Sequence, residues 1–322
     1  MEGYITDVEG IRVGQISDLE GLTGCTVLLF DDRCLGGVHI PGIAAGSRSF
    51  DTFRSIAGRI DGILLAGGSA YGLDATGGVM RFLEERGKGF RVGVTTVPAV
   101  PTCIIFDLGF GSAQARPDAA MAYRACEEAK RGPISEGSVG VGTGATVGKL
   151  HGLARAMKGG VGTASLDTCY GRVGALAVVN AFGECLDYAT GERIAGMRDS
   201  PAGTQIVDLV EEMEAQAMRG PYGFEGLNTT LAVVATEVAL SKPELHRLAF
   251  LAQGAFVRTT RPAHSLFDGD TIISVSTERR SMEVDLNTLG VFAERALGEA
   301  ITRAVKKAQG RGGLPAYGDL RR

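Results

Sequence analysis

Apolar positions along the chain fall into short unbroken runs, separated by stretches in which they recur every three or four residues. Residues 25–30, 62–66, 92–96, 173–180, 230–235 and 271–276 are apolar or β-branched runs bounded by Gly, Asp or Pro, the pattern of buried strands. Residues 73–85 and 117–130 read as amphipathic helices, and 205–218 as a third, more acidic one. Ser241-Lys-Pro-Glu244 is a capping box with Pro243 in the first turn, and the helix it opens sets Leu245, Leu248, Ala249, Ala252 and Phe256 on one face. A last helix carries a stripe from Leu286 through Ala293, Leu297 and Ile301 to Ala304, before Gly310-Arg-Gly-Gly313 ends it. Strands alternating with helices predict mixed sheets covered by helices, layered in one α/β domain. The rhythm breaks over 187–227, which is polar and rich in Gly, Asp and Glu apart from one helix, and includes Gly220-Pro-Tyr-Gly223 and Gly226. That is a long surface excursion, and excursions of this length in a layered domain tend to carry function.

Composition narrows the class. With 322 residues, 44% of them hydrophobic and 22% charged, the chain can bury a large core and is not disordered. Its 48 glycines show no G-X-Y period and accompany only ten prolines, so they belong to turns and close backbone approaches and not to a collagen-like or low-complexity chain. The 33 basic and 37 acidic residues leave a net charge of −4, which gives no footprint for nucleic acid or a membrane surface and points to small ligands. No apolar stretch reaches the ~18 residues of a spanning helix, and the first residues lack an export signal. Cysteines 25, 34, 103, 126, 169 and 185 never approach C-x-x-C spacing. Reduced core cysteines in a cytoplasmic protein are the expectation.

Several motifs invite chemistry and fail on inspection. Gly140-Val-Gly-Thr-Gly-Ala-Thr-Val-Gly-Lys-Leu150 resembles a phosphate loop, but Thr143 stands where the first glycine belongs and Leu150 where the magnesium-binding hydroxyl belongs. Gly140, Gly142 and Ala145 fit the dinucleotide fingerprint without the strand that should precede it. Gly67-Gly-Ser-Ala-Tyr-Gly72 falls short of a nucleophile elbow, because Tyr71 occupies a glycine position, so Ser69 is a weak triad candidate. Histidines 39, 151, 246 and 264 lack metal-ligand spacing, and His246 is expected in solvent on the polar side of its helix.

Two segments keep a chemical reading. Asn228-Thr-Thr-Leu-Ala-Val-Val-Ala-Thr236 sets hydroxyls at the mouth of a buried strand, directly after the polar excursion. A strand that simply begins with two threonines accounts for the pattern; so does self-cleavage. If the 228–229 bond breaks, Thr229 becomes an N-terminal nucleophile whose own α-amine, titrating near ~7.7–8.0 in model peptides, serves as general base. In His264-Ser-Leu-Phe-Asp-Gly-Asp270, Asp268 and Asp270 flank Gly269 just before an apolar strand. In extended conformation their carboxylates face one side, where they would orient the threonine or bind a substrate amine; an ordinary Asp-Gly-Asp turn is the alternative.

The chain resembles the autoprocessing N-terminal-nucleophile aminopeptidase family that includes the L-aminopeptidase/D-Ala-esterase/amidase, the β-aminopeptidases and the 6-aminohexanoate-oligomer (nylon oligomer) hydrolases. The likeness runs through Val8-Glu-Gly-Ile-Arg-Val-Gly14, Thr23-Gly-Cys-Thr26, Gly67 to Asp74, Gly142-Thr-Gly-Ala-Thr146, Met157-Lys-Gly-Gly-Val-Gly162, Val178-Val-Asn180, Asn228-Thr-Thr-Leu231 and Phe267-Asp-Gly-Asp270. The resemblance implies a four-layer α/β/β/α sandwich, made as one inactive chain and cut between Asn228 and Thr229 into α and β chains of 228 and 94 residues. It implies Thr229 as nucleophile, Asn180 at the oxyanion site, Lys158 near the nucleophile, and Asp268 with Asp270 as the acidic pair of the nylon-oligomer hydrolases. The aminopeptidase branch more often has a serine nucleophile and a Ser/Glu arrangement in place of the two aspartates. No tyrosine stands in 97–106 to assist the oxyanion as it does in some members. The implied activity is hydrolysis of small amine-bearing amides by a homo-oligomer, with no cofactor and no metal. The related ornithine acetyltransferase fold is a rival, disfavoured by Asn228 where alanine is usual and Thr230 where methionine is usual. A non-catalytic binding or assembly module on the same fold is another.

Overall fold

The long strands bury both faces, and their side chains alternate between two cores. In Gly171–Asn180 (β5), Val173, Ala175, Ala177 and Val179 join one cluster while Leu176 and Val178 join another. In Thr229–Val238 (β6), Ala232 and Val234 go with the first cluster, and Leu231, Val233 and Ala235 with the second. Such period-2 division is what a strand between two packed layers must show. The computed structural model describes residues 3–55, 58–219 and 228–321; Gly220-Pro-Tyr-Gly223 and Gly226 of the polar excursion lie outside them.

The remaining main strands are Ile11–Asp18 (β1), Thr23–His39 (β2), Arg59–Ala66 (β3), Gly160–Thr168 (β4) and Thr271–Arg280 (β7). Their hydrogen-bonded order is β4-β5-β6-β7-β2-β3, continued by Thr102–Ile104 and Ser47–Arg48, with β1 beside β2. The pairs are antiparallel except β6 with β7 and β3 with Thr102–Ile104. β2 spans both halves: Leu35 to His39 pair with β7, whereas Thr23 to Phe30 pair with β1, and the register to β3 shifts between Leu29 and Cys34. The two halves thereby face each other across the core formed by Leu28, Phe30, Ile63, Leu65, Leu176, Val178, Val233 and Val275.

Helices cover both outer faces. Thr76–Glu84 (α1) and Ala119–Glu127 (α2) pack on Cys25, Val27, Leu29 and Leu64. Leu286–Lys306 (α6) packs on β4 and β5, Lys242–Ala252 (α4) on β2, β7 and α6, and Gly254–Thr259 (α5) on α6; Leu209–Arg219 (α3) lies in the polar excursion. This is the α/β/β/α sandwich that the resemblance implied. Gly162 in β4 is required by it, because a Cβ there would lie 2.2 Å from the Ala300 carbonyl oxygen of α6.

Several expectations need correction. Residues 92–96 are not a buried strand but the tip of a surface hairpin joining Phe90–Arg91 to Thr96–Val97; Val94 is 94% exposed, and Gly93 has a φ of 89°. The glycine-rich 160–168 is a full strand, because its glycines serve close approach to α6. Cys169 is exposed while the other five cysteines are buried. His246 is held against the protein, its Nδ1 within 2.9–3.1 Å of the Val38 carbonyl and amide. No helix of the described residues is long and apolar enough to cross a membrane.

Candidate active site

Three strand ends meet at one edge of the sheet. β6 and β7 run parallel and start together, at Thr229 and Thr271, while antiparallel β5 brings its last residue, Asn180, opposite Thr229. The chain just before each start is also paired: the Asn228 amide donates to the Phe267 carbonyl at 2.8 Å, and the Gly269 amide donates to the Asn228 carbonyl at 2.7 Å. On the far side, the amides of Gly42 and Ala44 donate to the carbonyls of Asp270 and Asp268 at 3.2 and 3.1 Å. Residue 269 lies between these two backbones, and a Cβ there would lie 2.6 Å from the Ala44 oxygen and 2.9 Å from Thr229 Oγ1. Only glycine fits.

Every group at this junction is buried. Asn228, Thr229, Thr230, Asp268 and Asp270 are at most 2% exposed. The Thr229 hydroxyl donates to the carbonyl oxygen of Asn228, its own preceding residue. Both polar atoms of the Asn228 side chain are buried with no hydrogen-bond partner among the described residues, a state that costs about 1–3 kcal/mol for each unsatisfied group. The two carboxylates have different partners. Asp268 accepts from the Phe182 amide at 3.1 Å, the Ser265 amide at 3.1 Å and the Ser265 hydroxyl. Asp270 accepts from the Thr230 amide at 2.7 Å, while its other oxygen lies 2.8 Å from Nδ1 of His264. Burial, with the charge of Asp270 adding to it, pushes Asp268 up to about 6.

Asn180 does not aim its side chain at Thr229. Its Nδ2 donates to the Phe106 carbonyl at 3.1 Å, and its Oδ1 accepts from the Thr146 amide at 3.0 Å and from Lys149 Nζ at 2.8 Å. Lys149 also donates to the Asn180 carbonyl at 3.1 Å. Burial pulls this ammonium down to about 7, against the opposing effect of Asp268. Lys158 is hydrogen-bonded to none of the other four expected residues: Nζ donates to the carbonyls of Thr143, at 2.8 Å, and Ala145, and lies 4.5 Å from the centroid of the Phe110 ring. Burial holds it well below its ordinary range, with Asp107 opposing. Asp107 itself accepts from Thr23 Oγ1 at 2.7 Å and from the Gly68 amide at 2.6 Å, and burial raises it. The glycine turn before Ser69 is thus anchored by a carboxylate, and no histidine is hydrogen-bonded to Ser69 among the described residues.

The fold therefore brings Thr229, Asn180, Asp268 and Asp270 to one place and adds Lys149 and His264. Lys149 belongs to the 140–150 stretch that only resembles a phosphate loop; a lysine between Val147-Gly148 and Leu150 in an apolar run is its one signal in the sequence. The low-lying lysine also sets a pH dependence of stability. Lys149 sits low in the folded state and near ~10.4 when unfolded, so the folded state binds fewer protons between those values and gains stability as pH rises from 7. Below pH 7 the burial penalty is fully present. Thermal melts of the wild type and Lys149→Met from pH 7 to 9.5 should show a rise in the wild type that is smaller in the variant.

Among the described residues, no group of three or more His, Cys, Asp or Glu is placed to hold a metal ion. Thr229 at the end of an interior strand, with carboxylates and a low-lying lysine nearby, has the parts of a nucleophilic amide hydrolase. Comparison with known proteins agrees. An uncharacterized aminopeptidase of Mycobacterium bovis is 38% identical, over 98% of this chain and 97% of its own. A 6-aminohexanoate-oligomer endohydrolase of Kocuria sp. is 30% identical, over 93% of this chain and 85% of its own. Among solved structures, a β-aminopeptidase of Burkholderia sp. superposes with a TM-score of 0.69 at 22% identity, over 99% of this chain and 92% of that one. The L-aminopeptidase D-Ala-esterase/amidase of Ochrobactrum anthropi, described as a variant of the Ntn-hydrolase fold, gives 0.69 at 20% identity, over 96% and 88%. The sequence profile of peptidase family S58 matches residues 3–315, so the chain belongs to that family and is a hydrolase acting on amide bonds.

Proposed function

We propose that the protein is synthesised as one inactive domain, cuts itself between Asn228 and Thr229 into chains 1–228 and 229–322, and then hydrolyses small amine-bearing amides through an acyl-enzyme on Thr229. The observation that carries this reading is the Thr229 hydroxyl hydrogen-bonded to the carbonyl of the residue before it, which sets nucleophile and acyl group in contact. Among the described residues no hydrogen bond holds the Asn228 side chain, which favours release of that chain end. After the cut, the free α-amine of Thr229 is the general base for its own hydroxyl. Asp270, bonded to the next amide in the chain, and Asp268 beside it hold the new N-terminus and favour a substrate that carries an amine. Asn180, tied to Lys149, lies opposite the nucleophile and supports the oxyanion region. Lys158 fixes the 143–145 turn by donating to its carbonyls, next to Thr146, whose amide holds Asn180. Short peptides, β-amino acid amides and 6-aminohexanoate oligomers are the substrate class, in a cytoplasmic homo-oligomer that needs no cofactor.

A panel of α-, β- and ω-amino acid amides, with free amines and with N-acetylated controls, tests the substrate class: hydrolysis confined to free amines is expected, and equal rates on the acetylated amides would contradict it. Protonation of Asp268, which burial pushes up to about 6 in the uncut chain, removes its negative charge, so self-cleavage should slow as pH drops through that value. Asp268→Asn should lower the plateau and flatten this acid limb, and Asp270→Asn should lower turnover; normal rates in both would remove the pair from the mechanism.

A further inference from the structure

We infer that the backbone amide of Gly269 is the oxyanion donor for self-cleavage, so that the bond after Asn228 is cut with a donor other than the Asn180 side chain. This rests on the reading that Thr229 cuts that bond. During the acyl shift, Thr229 Oγ1 forms a bond to the Asn228 carbonyl carbon and the C–N bond breaks, with the hydroxyl proton ending on the released α-amine. Water then splits the ester, its hydroxyl going to the Asn228 carbon and its hydrogen to Oγ1. In the tetrahedral intermediate the negative charge falls on the Asn228 oxygen.

Among the described residues, two donors reach that oxygen in the uncut chain: the Gly269 amide at 2.7 Å and the Thr229 hydroxyl. The hydroxyl gives up its proton as it attacks, which leaves the Gly269 amide as the donor in place when the charge develops. The carboxamide of Asn180 is spoken for, with Nδ2 on the Phe106 carbonyl and Oδ1 on Lys149 and Thr146. Gly269 is also held rigidly. Its neighbours Asp268 and Asp270 accept at their carbonyls from Ala44 and Gly42, and their carboxylates are fixed by Ser265, Phe182, His264 and Thr230. The absence of a side chain at 269 lets this amide and Thr229 Oγ1 approach the same carbonyl, since a Cβ would crowd Oγ1 at 2.9 Å. The acidic pair therefore acts in the cut as well as on the substrate, because its carboxylates pin the peptide unit between them.

The test uses full-length chains from cell-free translation, pulse-labelled and followed on denaturing gels. Glycolic acid placed at 269 by nonsense suppression replaces the N–H by an ester oxygen without adding bulk. Loss of one such donor slows acyl transfer by about 100-fold, and that delay in appearance of the two fragments is expected. Lactic acid at 44 is the control, removing a neighbouring amide that reaches the Asp268 carbonyl and not the Asn228 oxygen; it should slow cutting far less than the ester at 269. Protease resistance of the uncut chains reports folding. Wild-type cutting at the 269 ester, or equal slowing by the ester at 44, would overturn the role of Gly269 while leaving Thr229 as the nucleophile. A wild type that never cuts, or cutting that persists in Thr229→Ala, would overturn both.

Discussion

Thr229→Ala is expected to yield a single folded chain of 322 residues that neither cuts itself nor hydrolyses an amide above background. On the proposed reading the substitution deletes the nucleophilic oxygen, and with it the route to a free α-amine, so both functions fall together. Removing a catalytic serine or its base has cost ~10⁶ in turnover in a well-studied protease, which places the variant below ordinary detection. Folding is expected to survive. Thr229 is buried at the end of a strand whose register is set by ten residues and by both neighbouring strands, and its hydroxyl makes one hydrogen bond, worth roughly 1 kcal/mol net. Thr229→Ser keeps the oxygen and should still cut, more slowly, because loss of the γ-methyl frees χ1. Amine release from an amide substrate and gel analysis together check the set; activity in the alanine variant would place the nucleophile elsewhere.

The second large effect is on stability and lies at Glu184. Its carboxylate is 0% exposed and accepts from Arg193 Nε at 2.6 Å, from Arg261 Nε at 2.7 Å and from the Leu209 amide at 3.3 Å. Both guanidinium groups also reach Asp208, which accepts from the Val210 and Glu211 amides at 3.0 and 3.1 Å at the start of α3. One buried charge thus ties Glu184–Leu186 to Arg193–Ala195, to Thr260–Arg261 and to α3. Deleting Glu184 leaves the Leu209 amide without its acceptor and two guanidinium groups, 27% and 43% exposed and still paired to Asp208, one partner short, at a cost of about 1–3 kcal/mol. Glu184→Ala should lower the stability measured by urea unfolding by that amount, and Glu184→Gln, which keeps an acceptor, by less. A change below that range for the alanine variant would show that the arginines are held by Asp208 alone.

The sequence was most legible where one physical cause dominated. The long apolar runs of β5, β6 and β7 and the capped α4 follow from burial and from the Ser241–Glu244 box, and the structure has them. The 92–96 run misled because β-branched residues at a hairpin tip look like a buried strand until their partners are known. β4 was hidden for the opposite reason: Gly160 and Gly162 lower its strand propensity, and the helix that requires them lies more than a hundred residues away in the chain. At the site, Thr229, Asp268 and Asp270 stood out because each sits at the start of a readable strand. Lys149 and His264 did not. Their importance comes from contacts with Asn180 and Asp270, and only His264 is near its partner in sequence. The double role of residue 269 was invisible for a related reason, since a backbone amide has no signature in the side-chain alphabet.

Both the nucleophile and the active enzyme depend on the fate of one bond, and intact-mass spectrometry of the purified wild type tests it most directly. Self-cleavage predicts two polypeptides with Asn228 as one C-terminus and Thr229 as the new N-terminus, and one uncut chain in Thr229→Ala. A wild type that stays whole while hydrolysing amides, or one that is cut at any other bond, would contradict it.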